Sequence, residues 1–330
     1  ALPISALPIF QFSIFGAGML RSSGNMVVPS VMSVVMMSLD VVFNFFLIFP
    51  TRPVELFGTQ IMMPGMGLGV VGAAIGTVSA ELVAASITMY ILCFRSKELS
   101  LHIDTGRFLP TWGVVKRALH ISLPMGLQQT IMCSAYVMTT IIIAPLGTFA
   151  IAANSFGVII ESLCYMPGYG IADAATTLVG QSMGAGRHEL MKRFAWLSVG
   201  LGVTVMAVMG VVMYVGAPTA MAMMTPAEEV RRLGVEVLRI EAFAEPMFAA
   251  AIVSYGVFVG AAKTLVPSIM NLISIWGVRI SLAAMLAPSM GLRGVWIAMC
   301  IELCFRGIIF LVKLKFWNIQ TSCKYYGKDQ

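Results

Sequence analysis

Gly18-Met19-Leu20-Arg21-Ser22-Ser23-Gly24-Asn25-Met26-Val27-Val28-Pro29-Ser30 closes one apolar stretch and opens the next, and its pattern returns as Gly256-Val257-Phe258-Val259-Gly260-Ala261-Ala262-Lys263-Thr264-Leu265-Val266-Pro267-Ser268. Each copy joins two hydrophobic segments by a small-residue loop that holds one cation and ends on a Pro placed to open a helix. The likeness resumes as Gly69-Val70-Val71-Gly72-Ala73-Ala74-Ile75 against Gly291-Leu292-Arg293-Gly294-Val295-Trp296-Ile297, after a longer intervening loop in the first copy. The chain therefore carries a parallel-type internal repeat of helix sets.

Those helices belong in a bilayer. Hydrophobic residues make up 58% of the chain and charged residues 11%, where a soluble domain carries roughly 25% charged residues. A lipid-spanning helix needs about 20 mostly apolar residues, because each backbone group must be paired within its own segment. By that measure the expected spans are 3–20, 28–49, 66–93, 118–146, 149–180, 191–215, 233–260, 266–288 and 294–315. No strand pattern competes with them, so the expected fold class is an all-α polytopic membrane bundle. The first span looks incomplete and the chain opens on Ala1, so the sequence reads as the C-terminal portion of a longer protein, with roughly three and a half helices missing from the first set. No signal peptide or transit segment is visible. In a membrane chain, repeated helix sets point to a transporter whose substrate path lies between the copies.

The net charge of +6 does not mark a nucleic-acid partner, because the cations sort by loop and not into one patch. If the Arg21 loop is cytoplasmic, alternate connections carry Arg95, Lys97, Arg107, Lys116 and Arg117, then Arg187, Lys192 and Arg193, then Lys263, and last Lys313, Lys315, Lys324 and Lys328. The opposite loops hold only Arg52, Arg231, Arg232 and Arg293, which places the C-terminus inside. The stretch 94–117 is polar, basic and Pro-containing and reads as a cytoplasmic linker between a partial first lobe, 1–93, and a complete six-helix second lobe, 118–316; residues 317–330 form a polar tail. Thr225-Pro226-Ala227-Glu228-Glu229 reads as an N-cap with Pro at the first helical position. Cys93, Cys133, Cys164, Cys300, Cys304 and Cys323 show no Cys-x-x-Cys spacing and read as small hydrophobes; His102, His120 and His188 fall at helix ends or loops and support no metal site. The Met-rich stretches at Met36-Met37 and at Met221, Met223 and Met224 read as ordinary packing.

With these residues in place the chain resembles the multidrug and toxic compound extrusion (MATE) family of membrane antiporters. The carriers are the two paired loops, the Leu123-Pro124 opening of the span after the linker, and Pro167-Gly168-Tyr169-Gly170-Ile171-Ala172 running into Leu178-Val179-Gly180-Gln181-Ser182-Met183-Gly184-Ala185-Gly186. The resemblance covers essentially the whole chain. It implies twelve helices in two six-helix lobes about an axis along the membrane normal, and export of organic cations or amphipathic drugs in exchange for protons or sodium. Against that template the chain starts within the fourth helix, and 94–117 joins helices six and seven.

An ionisable group at membrane depth marks an ion or substrate path by default. Asp40, Glu81, Glu161, Asp173, Glu241, Glu245 and Glu302 qualify, and they outnumber the intramembrane arginines Arg239, Arg279 and Arg306. An acid-rich interior suits cationic cargo, since a buried carboxylate trades its charge between a proton, a metal ion and a drug cation. Asp40 and Asn44 share a helix face, and the family's first-lobe site tends to show Asn-x-x-x-Asp where this chain has the pair reversed. The coupling ion, H+ or Na+, is therefore expected at Asp40. Family members also carry a Glu eight residues after the Leu-Pro of the seventh helix; here that position is Met132, with Gln128 and Gln129 as the nearest polar groups. Glu241 and Glu245 lie one turn apart just before Pro246, whose ring can bend the helix toward a cavity, and are the second-lobe candidates. The plainer reading pairs them with Arg279 or Arg239, although Arg239 stands three residues from Glu236. Glu81 and Glu161 lie near the centres of their spans. Pro29, Pro124, Pro167, Asp173, Pro246 and Pro267 are expected to shape or gate the helices, and Glu302 and Arg306, four apart, to pair.

The expected function is a secondary-active efflux transporter working by alternating access on cationic or amphipathic small molecules, as a monomer in lipid, with no cofactor beyond its coupling ion. A flippase of lipid-linked saccharides in the same superfamily would want a basic cavity, which the excess of acids disfavours. A membrane-embedded enzyme or receptor would want a nucleophile motif, a metal-spaced cluster or a large soluble domain, and the sequence shows none.

Overall fold

A computed structural model describes residues 7–56, 59–96 and 111–317. The chain divides into two units, Ala1–Leu109 and Pro110–Gln330. His102, Cys323, most of the linker and nearly all of the tail lie outside the described residues.

In the first unit, α1 (Leu7–Ser22), α2 (Val27–Ile48) and α3 (Gly69–Tyr90) are helical, and a π-helical turn, Ile91–Arg95, extends α3. The 22 residues of α2 reach about 33 Å at 1.5 Å per residue, enough for the hydrocarbon core. Lipid offers helices no hydrophobic reason to associate, so close packing by small residues must do it. Gly72, Gly76, Ala80, Ala84 and Thr88 recur every four residues along the buried side of α3. A Cβ at Gly72 would lie 2.7 Å from the Leu47 carbonyl carbon, and one at Gly76 would lie 2.5 Å from the Asn44 side-chain oxygen. The α2 backbone can approach α3 only because those Cβ atoms are missing.

One element departs from the expected pattern. Between α2 and α3 the chain forms an antiparallel hairpin, β1 (Pro50–Leu56) and β2 (Thr59–Met66), where the sequence reading gave only loop. Pro50, Pro53 and Pro64 exclude helix, and Thr51, Val54, Thr59 and Ile61 favour extended backbone. This hairpin is the extra length of the first copy: the second copy passes from helix to Gly291 with nothing inserted.

The second unit holds α4 (Trp112–Ile143), α5 (Thr148–Gly184), α6 (His188–Met224), α7 (Glu228–Glu241), α8 (Glu245–Gly260), α9 (Leu265–Leu272), a π-helical stretch Ile273–Ile280, α10 (Ser281–Met290) and α11 (Leu292–Lys315). A 3₁₀ turn, Ala144–Leu146, joins α4 to α5. Helix begins at Trp112, so the stretch read as linker gives up its last residues to α4. Thr225 caps nothing helical: its hydroxyl accepts the Ala227 N–H at 3.2 Å, and α7 starts at Glu228. The span placed at 233–260 is broken, with α7 and α8 bent by 59° across Ala242–Ala244. Among the described residues seven helices are long and apolar enough to cross a membrane, or eight with the bent pair taken as one span.

The core of this unit is α8, packed against α5, α6 and α11. Gly256 and Gly260 face the Ala172 and Thr176 backbone of α5, Gly202 of α6 faces Val253, and Gly307 of α11 faces Met247. Thr176 Oγ1 shares its hydrogen between the Ala172 and Gly256 carbonyls, both at 2.9 Å, and so ties α5 to α8. Trp296 is buried and donates its indole N–H to Asn154 Oδ1 at 3.1 Å.

The repeat seen in sequence is reproduced bond for bond. At the end of α1, Asn25 N–H reaches Leu20 O and Gly24 N–H reaches Arg21 O; at the end of α8, Lys263 N–H reaches Phe258 O and Ala262 N–H reaches Val259 O. Both are the paired closure that puts a left-handed residue after a helix, with φ +92° at Gly24 and +54° at Ala262. Pro29 and Pro267 then stand in the first turns of α2 and α9.

Candidate functional site

The second unit gathers most of the buried charge. Glu161 lies in the middle of α5, Glu241 is the last residue of α7, Glu245 the first of α8, and Glu302 sits on α11. Glu241 and Glu245 are each 1% exposed. The α7–α8 break sets them there. Pro246 has no N–H to give and so stands comfortably in the first turn of α8, which leaves one carboxylate on each side of the bend. Glu161, Arg279, Glu245 and Glu302 lie within electrostatic reach of Glu241, and Arg279 and Arg306 within reach of Glu161.

These carboxylates are not equally satisfied. Glu302 accepts the Ser274 hydroxyl at 2.6 Å and pairs with Arg306 at 3.1 Å, and the Arg306 guanidinium lies 5.4 Å from the Phe248 ring centroid. By contrast Glu241 Oε2 and both carboxylate oxygens of Glu245 accept no hydrogen bond from any described residue. A carboxylate removed from water without a partner is among the costliest arrangements in a protein, and it persists where a proton or cation completes it. Tyr165, on α5 one turn after Glu161, packs edge-on against Phe248 at 5.6 Å and against Tyr169 at 5.5 Å.

The other arginines do not close the cluster. Arg239 lies over the Tyr214 ring at 5.2 Å, and Glu236, expected to hold it, is bound instead to Arg293 through two N–H donors at 2.5 Å. Arg239 follows Glu236 in sequence, but Arg293 crosses to it from the start of α11. Arg279 sets one guanidinium nitrogen against the Met299 sulfur.

In the first unit Asn44 Nδ2 donates to Asp40 Oδ1 at 3.1 Å, within α2. Ser38 does not serve Asp40, because its hydroxyl bonds the Val34 carbonyl at 2.8 Å. Asn44 Oδ1 is buried against Gly76 and accepts no hydrogen bond from a described residue, so an orphan carbonyl stands beside a carboxylate. Glu81, 5% exposed, lies on the buried side of α3.

The remaining candidates scatter. Gln128 accepts the Tyr255 hydroxyl at 3.0 Å and so links α4 to α8, whereas Gln129 is exposed beside Cys133. Asp173 is exposed on α5. Pro124 and Pro167 stand inside α4 and α5, and Pro218 stands inside α6 in the same way without having been singled out. Ser274, Tyr165 and Tyr169 were also missed; a polar or phenolic group in an apolar span was the only signal for them. Among the described residues no group of three or more His, Cys, Asp or Glu side chains could hold a metal ion.

The MatE family model matches residues 124–285. A probable multidrug resistance protein NorM from Thermotoga maritima is 27% identical over 305 residues, which is 91% of this chain and 62% of that protein. A probable multidrug resistance protein NorM from Xylella fastidiosa is 28% identical over 71% of this chain and 50% of its own length. The chain thus spans between half and two thirds of these relatives. Among solved structures, the outward-facing conformation of a multidrug resistance MATE family transporter of the MOP superfamily superposes with a TM-score of 0.82 at 21% identity, covering 96% of this chain and 68% of that one. A MOP superfamily transporter from Pyrococcus furiosus, described as having a binding pocket of reversed polarity, gives 0.84 at 20% identity, covering 98% of this chain and 68% of that one. At such identities the likeness is one of fold.

Proposed function

We propose that this chain, whose residues 124–285 match the MatE family model, is a multidrug and toxic compound extrusion transporter and forms the greater part of a secondary-active exporter of cationic or amphipathic compounds, driven by inward movement of H+ or Na+. The observation that carries the reading is the Glu241–Glu245 pair: two carboxylates 1% exposed, on either side of a broken membrane helix, with three oxygens that accept no hydrogen bond from a described residue. Broken helices with unpaired acids at membrane depth are where transporters bind ions and substrates.

Weight therefore shifts from the first unit toward the second. Asp40 is half-buried and already accepts an amide from Asn44, while Glu241 and Glu245 stay unpaired beside Glu161 and the Tyr165–Phe248 aromatics. We assign cation contact to Glu241, Glu245 and Glu161, and a second proton or sodium contact to Asp40, the Asn44 carbonyl and Glu81. Gln128 holds α4 in place and Gln129 is free to meet substrate. The protein acts as a monomer in the inner membrane with its C-terminus in the cytoplasm, and proton or sodium entering from outside neutralises a carboxylate and releases the drug.

The test is ethidium efflux by the full-length protein in proteoliposomes, driven separately by a proton and by a sodium gradient. Glu241→Gln with Glu245→Gln should cut efflux at least about tenfold, the size of one lost charge contact, and Asp40→Asn should weaken its dependence on the gradient. Unchanged efflux in all of these variants defeats the assignment.

A further inference from the structure

We propose that Arg279 is a resident counter-cation of the buried acid cluster: its guanidinium acts as a cation toward Glu161 and Glu241, and an incoming organic cation or coupling ion binds by competing with it.

The two buried arginines of the second unit differ in how they are held. Arg306 is fixed by Glu302, which is itself fixed by Ser274, and its guanidinium lies over the Phe248 ring. Arg279 makes no ion pair with any described residue, and its hydrogen-bonding contact is the Met299 sulfur, a weak acceptor. It nevertheless lies within electrostatic reach of both Glu161 and Glu241. On its other side it lines a shallow cleft of about 10 Å³, room for about one water, with Met132, Ala135, Tyr136, Thr139 and Ile275. A long cation thus stands within electrostatic reach of buried acids, with no ion pair to hold it to them.

The backbone supports the same assignment. Arg279 lies in the π-helical stretch Ile273–Ile280, where the repeat diverges: the matching part of α2 is regular helix. π-Helical turns are costly and cluster at functional sites. Val278 aligns with Asp40, so the copy with a carboxylate in α2 has an arginine one residue beyond the equivalent position. The first copy offers at this place a carboxylate bonded to the Asn44 amide, and the second an arginine among acids. With carboxylates outnumbering guanidiniums in the cluster, a mobile arginine prevents the acids from being left bare when cargo leaves, and it must be outcompeted when cargo arrives.

The inference rests on the export reading above, and binding of tetraphenylphosphonium to the full-length protein separates the two. Removing an opposite charge near a carboxylate strengthens its hold on another cation by about tenfold or more. Arg279→Gln should therefore bind tetraphenylphosphonium at least about tenfold more tightly than wild type while transporting it more slowly, and Arg279→Lys should stay near wild type. The gain should vanish when Glu241→Gln is added. Arg279→Met serves as a second neutral variant, with a side chain suited to the Met299 contact. A neutral variant with wild-type melting whose affinity is unchanged or weaker overturns the inference alone. Wild type with no saturable binding overturns the export reading and this one with it. Failure of both neutral variants to fold assigns Arg279 a structural role and also overturns the inference.

Discussion

Ala262 holds φ at +54°, a conformation that costs a residue with a Cβ about 1 kcal/mol or more and that Gly24 occupies freely in the first copy. Ala262→Gly should therefore stabilise the protein by about 1 kcal/mol, read as a rise in melting temperature in detergent. The ion pairs give a contrast of the opposite sign. Glu302→Gln strands the Arg306 guanidinium in the core and should cost about 3–5 kcal/mol, whereas Glu236→Gln breaks a half-exposed pair and should cost about 1 kcal/mol or less; equal losses would contradict the burial of Glu302. Spacing of four residues made the Asp40–Asn44 and Glu302–Arg306 contacts legible in the sequence, because a helix brings such positions together whatever surrounds it. Ser274 to Glu302, Trp296 to Asn154 and Arg293 to Glu236 were not legible. Each joins residues on different helices, and no local periodicity says which faces meet.

Among the elements, the long helices could be read from apolar length alone, since lipid admits few alternatives. Their interruptions could not. The hairpin Pro50–Met66 lies in the loop that the repeat marked as longer, yet loop length carries no secondary structure. The α7–α8 break falls at Ala242–Ala244, before Pro246, because the proline opens a new helix and does not merely kink an old one. Helix α4 makes a testable case of marginal attachment. It exposes most of its surface and is held by the Tyr255 hydroxyl on Gln128, the Thr264 hydroxyl on the Ile121 carbonyl at 3.3 Å and the Trp276 indole on the Ile131 carbonyl at 3.4 Å. Tyr255→Phe should cost about 1 kcal/mol and raise hydrogen exchange across residues 121–131 while leaving α8 protected. Substituting Gly256 by Ala drives a Cβ to 2.6 Å from the Ala172 oxygen and should cost about 1–3 kcal/mol, seen as an earlier unfolding transition.

At the scale of the whole molecule, the distribution of cations predicts which side of the membrane each connection faces. With the six native cysteines replaced, an impermeant maleimide applied to intact cells should label Ala227→Cys and leave Ala185→Cys untouched; the reverse pattern inverts the topology. The repeat was legible in sequence because its glycines and prolines serve backbone closures that admit few substitutes, while the divergent charges of the two copies took their meaning only from their neighbours in space. The Thr176 hydroxyl also sets a condition on how the protein is made. Its partner carbonyl, at Gly256, lies 80 residues further along the chain, and synthesis at about 5–20 residues per second delays its arrival by roughly 4–16 s. Over that interval α5 has already left the ribosome with a groove shaped for a helix not yet translated. Anything that stalls translation before Gly260 leaves the groove open to lipid, to chaperones or to the proteases that clear unfinished membrane proteins.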